Sequence, residues 1–197
     1  VTTRNTSKNT EQFYFASSIL LATGTTPRKL SIPGEETYWG KGVSNCAICD
    51  GSLYKNKVVA VIGGGEAAIE EAQYLSTIAS KVYIIVRKPR FNSHEASRIQ
   101  SITTTPNVTV LYNSIPLTIS GNQHNVTTLT VKNTSSSEVT TLNVNGVFEA
   151  IGSVPNSSLV QQIVRCDEQG YIFTDPHGAT SVPGIFAAGD VTKTHYR

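Results

Sequence analysis

The sequence predicts an α/β fold: a three-layer domain with a central parallel sheet and an antiparallel β-meander, joined to parts of a second domain. Three observations carry this prediction. Lys57-Val58-Val59-Ala60-Val61-Ile62 is an unbroken apolar run of strand length, followed by Gly63 to Gly65 and an Ala-rich stretch of helical composition from Glu66 to Ser80. Lys81 to Val86 is a second apolar run, which completes a β-α-β unit. From Leu117 to Val144, Thr and apolar residues alternate, with turn-forming residues at Gly121-Asn122 and from Asn133 to Ser137. That is the period-two signature of antiparallel strands.

The remaining elements fall into place around these. Ser18-Ile19-Leu20-Leu21-Ala22 reads as a buried strand closed by Gly24, with Pro27 following. Ile32-Pro33-Gly34 reads as a linker, and the segment through Asn45, with Tyr38 and Trp39 among glycines, reads as loop. A short helix is expected around 93–102, then a third parallel strand at Val108-Thr109-Val110-Leu111. An internal echo marks the domain organisation. Ala22-Thr23-Gly24-Thr25-Thr26-Pro27 and Ala150-Ile151-Gly152-Ser153-Val154-Pro155 both end an apolar strand with A-x-G-x-x-P. Such a pair fits a chain that leaves one domain, forms a second, and returns. The expected boundaries are 1–29, 30–151 and 152–197, with the outer two segments belonging to one domain. One more strand is expected within Val182–Asp190.

Bulk properties exclude several classes. The chain has 197 residues, 39% hydrophobic and 15% charged, with a net charge of +2 and no block of Lys or Arg, so nucleic acid is not an expected partner. Its apolar stretches are strand-length, far below a membrane span, and Val1-Thr2-Thr3-Arg4-Asn5 does not resemble a signal peptide. There is no Met, so residue 1 reads as something other than a native start. Two of the three cysteines are separated by two residues, which suits a cytoplasmic redox pair better than a disulfide scaffold. The sequons at Asn107 and Asn125 arise readily by chance in a chain rich in Ser, Thr and Asn, and glycosylation is not expected.

Gly63-x-Gly65-x-x-Ala68 lies after an apolar strand and opens a helix, the place of a dinucleotide-binding turn in a Rossmann-like domain. Gly63 permits the tight turn, Gly65 admits a pyrophosphate to the backbone, and Ala68 keeps helix and strand close. The helix start supplies free N–H groups to the anion. At the end of the second strand, NAD-binding units usually carry an acid that holds the ribose. Here the run is Val86-Arg87-Lys88-Pro89-Arg90, and Arg87, Lys88 and Arg90 would attract a 2′-phosphate instead. NADPH is therefore expected over NADH.

Cys46-Ala47-Ile48-Cys49 can form a small disulfide ring or ligate zinc. Zinc needs a second pair or matched histidines, and Cys166, His94, His124, His177 and His195 show no such spacing, so no metal is expected. A redox pair fits better, since one thiolate attacks a disulfide and the other resolves the mixed species. Asp50 follows directly, placed either to move a thiol proton or to cap the turn with Gly51; local sequence leaves both roles open. Cys166, among Arg165, Asp167 and Glu168, reads as incidental.

Taken together, these residues resemble the low-molecular-weight thioredoxin reductases of the two-dinucleotide-binding flavoprotein family. The matching runs are Leu21-Ala22-Thr23-Gly24, Gly42-Val43-Ser44-x-Cys46-Ala47-x-Cys49-Asp50-Gly51, Val61-Ile62-Gly63-Gly64-Gly65-x-x-Ala68-x-Glu70-Glu71-Ala72, Ala150-Ile151-Gly152-x-x-Pro155-Asn156 and Gly184-Ile185-Phe186-Ala187-Ala188-Gly189-Asp190-Val191. The resemblance implies hydride transfer from NADPH to FAD, reduction of a Cys46–Cys49 disulfide, and exchange with a disulfide on thioredoxin. It implies Cys49 as the flavin-facing thiol, Cys46 as the exchanging thiol and Asp50 as the acid/base. Thr23, Gly24, Gly189 and Asp190 would contact FAD, the two A-x-G-x-x-P crossings would form a hinge, and the complete protein would be a homodimer.

The chain departs from the family pattern at three points. Ala67 stands where a Ser or Thr is usual, and the phosphate run His-Arg-Arg-x-x-x-Arg retains only Arg87, with Lys88 and Arg90 as substitutes. No G-x-G-x-x-G for FAD precedes Gly63, and the family's closing helix would follow Tyr196-Arg197. The chain is thus expected to be truncated at both ends and unable to hold FAD tightly alone. The cysteine motif leaves a peroxiredoxin-reductase component as one alternative, and the altered run keeps two more open: a flavin-dependent dithiol oxidase and a reductase with another electron donor.

Overall fold

The computed structural model describes residues 1–193; His195, weighed above as a zinc ligand, and Tyr196-Arg197 lie outside the described residues. Two compact units emerge, one formed by Val1–Thr26 with the chain from Ser153 onward, the other by Pro27–Gly152.

The first unit opens with β1 (Thr2–Asn5) and β2 (Thr10–Phe13), an exposed antiparallel hairpin. The apolar run that follows is β3 (Ile19–Leu21), and β4 (Thr25–Pro27) carries the first crossing. The second unit begins with α1 (Glu35–Tyr38), a single helical turn where the sequence predicted loop. Its reason is local. The buried Glu35 carboxylate accepts the N–H groups of Leu30, Ser31 and Ile32 at 3.0, 2.6 and 3.4 Å, winding the linker around one side chain. Next come β5 (Val43–Ser44) and α2 (Ala47–Asp50), then β6 (Val58–Ile62) and α3 (Glu66–Ser76). Helix α3 stops short of the predicted Ser80. The Thr77 hydroxyl donates to the Tyr74 carbonyl at 2.7 Å, an alternative to the next helical bond.

The rest of the second unit is β7 (Lys81–Ile85), α4 (Ala96–Thr104), β8 (Val108–Leu111), β9 (Ser114–Gly121), β10 (Val126–Asn133), β11 (Val139–Asn143) and β12 (Gly146–Glu149). A five-stranded sheet in the order β5-β12-β6-β7-β8 is parallel throughout. The meander β9-β10-β11 is antiparallel. Alternation along the strands sends Val59, Val61, Val82, Ile84 and Phe148 into a core with Ile69, Ala72 and Leu75 of α3. Ala60, Ile62, Ile85 and Val147 face the meander residues Ile119, Leu129 and Val131. Each sheet face is therefore covered, which is why these strands read as unbroken apolar runs. Burying each such Val or Ile contributes roughly 1.5–3 kcal/mol. The Asn107 side-chain amide donates to the carbonyls of Ser76 and Ala79 at 2.9 and 3.0 Å, so the first sequon is tied into the end of α3.

The chain then returns to the first unit through β13 (Ser153–Pro155) and β14 (Ile185–Ala187), and β14 pairs in parallel with β3. Leu21, Val160, Val164, Ile172, Ala187 and Val191 form its small core. Cys166 is half-buried against that core, an apolar packing role that its polar sequence neighbours concealed. Among the described residues, no helix is long and apolar enough to cross a membrane.

Candidate active site

Strand β5 delivers the cysteine motif at one edge of the parallel sheet. Cys46 and Cys49 are disulfide-bonded, with Cα atoms 5.3 Å apart. Cys46, in extended conformation, caps α2, and its Sγ accepts the Cys49 N–H at 3.2 Å. The Ser44 hydroxyl ties the motif together: it accepts the Cys46 N–H at 3.1 Å and donates to Asp50 Oδ2 at 2.6 Å. No capping bond from the Asp50 side chain to the turn after it is present among the described residues, so the carboxylate is oriented by Ser44 and not spent on Gly51. Gly51 lies hard against α3, where a Cβ would come within 2.8 Å of the Tyr74 ring. From the same helix, the half-buried Glu71 carboxyl lies near the N–H of Ala47, between the two cysteines. Burial outweighs the opposing pull of that N–H and pushes Glu71 up to about 7.

The nucleotide turn lies between β6 and α3. Gly63 has φ 152°, and a Cβ there would sit 2.3 Å from the Ala150 carbonyl oxygen and 2.9 Å from the Ala68 Cβ. Only glycine fits this close approach of turn, strand and helix. At Gly65 a Cβ would meet nothing within 4 Å, so the outer side of the turn is open. Gly65 caps α3 with no side-chain oxygen on the first-turn N–H groups among the described residues. Open backbone, free N–H groups and the helix dipole together suit a pyrophosphate. Ala68 is fully buried, packed inward as the motif requires.

Arg87, Lys88 and Arg90 are all exposed after β7. Arg90 also borders a groove of about 580 Å³ together with Asn92, Ser93, His94 and Tyr112. Among the described residues no cluster of three or more His, Cys, Asp or Glu is arranged to hold a metal.

In the first unit, Gly24 has φ 64° and accepts the Asn156 N–H at 3.0 Å. Thr23 Oγ1 donates to the Asn156 carbonyl at 2.7 Å. Gly189 (φ 76°) and the exposed Asp190 form a 3₁₀ turn after β14, with open space where a Gly189 Cβ would stand. In the second unit the echo repeats: Gly152, at φ 84°, accepts the Arg28 N–H at 2.9 Å. Each glycine thus receives the N–H that follows the proline of the other run.

Three residues without an assigned role in the sequence prove central to the local chemistry. Ser44 braces the redox turn and Glu71 lies near it on α3; their motif neighbours signalled the sites but not the contacts. Glu149 ends β12 at 4% exposure, and neither carboxyl oxygen has a hydrogen-bond partner among the described residues. Burial first, then the nearby Glu35 charge, push it up to about 8.

The pyridine nucleotide-disulphide oxidoreductase family pattern matches residues 1–197. Thioredoxin reductase 2, mitochondrial, of Saccharomyces cerevisiae is 46% identical over 183 residues, covering 91% of this chain and 53% of that protein. Thioredoxin reductase of Yarrowia lipolytica is 43% identical over 190 residues, covering 95% of this chain and 59% of its own length. The chain thus spans between half and three fifths of these relatives. The crystal structure of Lactococcus lactis thioredoxin reductase superposes with a TM-score of 0.82 at 37% identity, covering 96% of this chain and 62% of that one.

Proposed function

We propose, since the chain belongs to the pyridine nucleotide-disulphide oxidoreductase family, that it carries the dithiol and nucleotide-binding parts of a thioredoxin-disulfide reductase. The observation that carries this reading is the Cys46–Cys49 disulfide, braced by Ser44 beside an oriented Asp50. Residues 30–151 are the NADPH-binding domain with the redox pair, and 1–29 with 152–197 contribute to an FAD-binding domain. Gly63, Gly65 and Ala68 would hold the pyrophosphate of NADPH, and Arg87, Lys88 and Arg90 its 2′-phosphate. Thr23, Gly24, Gly189 and Asp190 would contact FAD, and the open space at Gly189 fits such a role. When bound, NADPH and FAD supply an electron pair, as hydride, to the site.

The chain's own residues then perform thiol–disulfide exchange. The Cys46 thiolate attacks a disulfide on thioredoxin, forming a mixed disulfide and releasing one partner thiolate. Cys49 attacks Cys46 Sγ, which re-forms the internal disulfide and releases the second partner thiolate. Asp50, held by Ser44, takes the proton that a cysteine loses and returns one to a leaving thiolate. The complete protein would be a cytoplasmic homodimer, with no nucleic-acid or membrane partner.

The test follows flavin absorbance anaerobically in the full-length, FAD-loaded protein. Bleaching by NADPH, reversed by oxidised thioredoxin and uncoupled from it in Cys49→Ser, is the expected result. Bleaching by dithiols but by neither NADPH nor NADH would replace this reading with a dithiol oxidase.

A further inference from the structure

We propose that Glu149 couples nucleotide binding to a proton: as a neutral acid it keeps the Ala150 carbonyl seated beneath Gly63, and its ionisation loosens that seat and weakens the hold on the nucleotide. Glu149 is thus a positioning residue of the site assigned above to NADPH, and its role rests on that assignment.

Strand alternation sets its place. Val147 of β12 faces the meander side of the sheet and Phe148 the helix side, so Glu149 returns to the meander side, in register with Ile62. That layer is apolar: Ile62, Ile119 and Val147 lie within it, and Leu30 and Ile32 of the linker pack against it. Glu149 is only 4% exposed there, and neither carboxyl oxygen has a hydrogen-bond partner among the described residues. Glu35, by contrast, engages the N–H groups of Leu30, Ser31 and Ile32. A carboxylate without partners in an apolar layer is strongly disfavoured, so the geometry itself calls for the neutral acid. The backbone beside Glu149 is committed to the nucleotide turn. Ile62, its register partner, directly precedes Gly63, and the Ile62 carbonyl takes the Ala150 N–H at 2.9 Å. A Cβ on Gly63 would stand 2.3 Å from the Ala150 carbonyl oxygen, so the turn rests on the peptide that follows Glu149.

The surrounding charges act in the same direction. Glu35 and Glu36 of α1 repel a negative charge at Glu149, Lys29 of the linker attracts one, and burial outweighs Lys29. Strands β5, β6 and β9 carry no ionisable side chain. Lys132 of β10 alternates outward from Leu129 and Val131, while the phenols of Tyr38 and Tyr83 pack against the same layer. Glu149 therefore holds its proton up to about 8. Once ionised, the carboxylate gains by moving toward water at the end of β12, and the Glu149–Ala150 backbone moves with it. The Ala150 carbonyl then ceases to support Gly63, and the first N–H groups of α3 lose their fixed aim at a pyrophosphate. A carboxylate that stays in place repels the same anion, so both responses have one sign. Linkage makes the effect reciprocal: a bound nucleotide raises the proton affinity of Glu149, and binding near pH 8 takes up part of a proton from solvent.

The test uses the full-length protein with FAD bound, as wild type, Glu149→Gln and Glu149→Leu. Binding of NADP+ is followed by titration calorimetry from about pH 6 to about pH 9.5, in buffers of different ionisation enthalpy, which counts the protons taken up. Wild-type affinity should hold steady in acid and fall roughly five- to tenfold as pH rises through 8, with uptake of part of a proton over that range. In both variants the affinity should stay level through that range and the proton uptake should vanish. Glu149→Leu suits the apolar layer and keeps the test decisive should Glu149→Gln not fold. A level wild-type profile, or the same fall and the same uptake in a folded variant, would overturn the proposal. Failure of wild type to bind NADP+ or NAD+ at any pH would instead overturn the nucleotide-binding reading itself.

Discussion

The redox turn and the nucleotide turn sit on one sheet yet are built by opposite means. Side chains hold the first: the Ser44 hydroxyl ties the Cys46 N–H to the Asp50 carboxylate, and two sulfurs close it. Absence of side chains makes the second, where Gly63 admits the Ala150 carbonyl beneath the turn and Gly65 leaves its outer face open. The difference fits the work proposed for each turn. Thiol exchange needs groups that take and return protons, whereas anion binding needs backbone N–H groups with nothing in front of them.

The largest expected effect is at the redox turn. Cys49→Ser should lower turnover with thioredoxin by at least about a thousandfold while leaving nucleotide affinity unchanged, read by a coupled thiol assay and nucleotide titration. A parallel loss of nucleotide binding would show that the two turns are not separable.

Next come the two glycines, which should part company within a single motif. Gly63→Ala should cost about 3 kcal/mol in urea unfolding, because its Cβ strikes backbone and its φ is unfavourable for any side chain. Gly65→Ala should change stability by less than about 1 kcal/mol but weaken NADPH binding roughly tenfold, since the methyl group would occupy ligand space. Equal stability losses would refute the division into an inner packed face and an outer open one.

Glu149 sharpens the same side of the comparison, for it precedes Ala150. Its folded pKa is raised to about 8 from an ordinary 4.5, so the native state favours the neutral acid. That contribution is fully present below pH 4.5 and is lost as pH rises through 8. Glu149→Gln should therefore match wild type in acid and exceed it in urea stability by about 1–3 kcal/mol above pH 8. A constant difference across pH would mean that packing, not charge, governs the site.

The smallest effect is expected at Ser44→Ala, which keeps both cysteines and removes only the brace. Exchange should slow by roughly tenfold with a shifted pH profile, because Asp50 and the Cys46 N–H lose their shared partner. An unchanged profile would leave Asp50 without a role in proton transfer.

Much of this was legible in the chain alone. The apolar runs at Val58–Ile62 and Lys81–Ile85 foretold a doubly covered parallel sheet, because a strand buried on both faces cannot alternate. Likewise, Gly63, Gly65 and Ala68 marked their turn, since local backbone geometry restricts which residues can stand there. The cysteine pair announced its disulfide for the same reason of short range. What the chain alone did not disclose depends on partners distant in sequence. Gly51 meets Tyr74 and Leu75 only because α3 packs against the redox turn, and Gly63 is obligatory only because Ala150, just after β12, lies beneath it. Glu149 becomes a neutral acid only because the fold buries it beside Glu35. Sequence determined the elements and the reactive groups, through propensities and spacings that act over a few residues. Tertiary structure decided their protonation, their braces and their open faces, because burial and charge act through space.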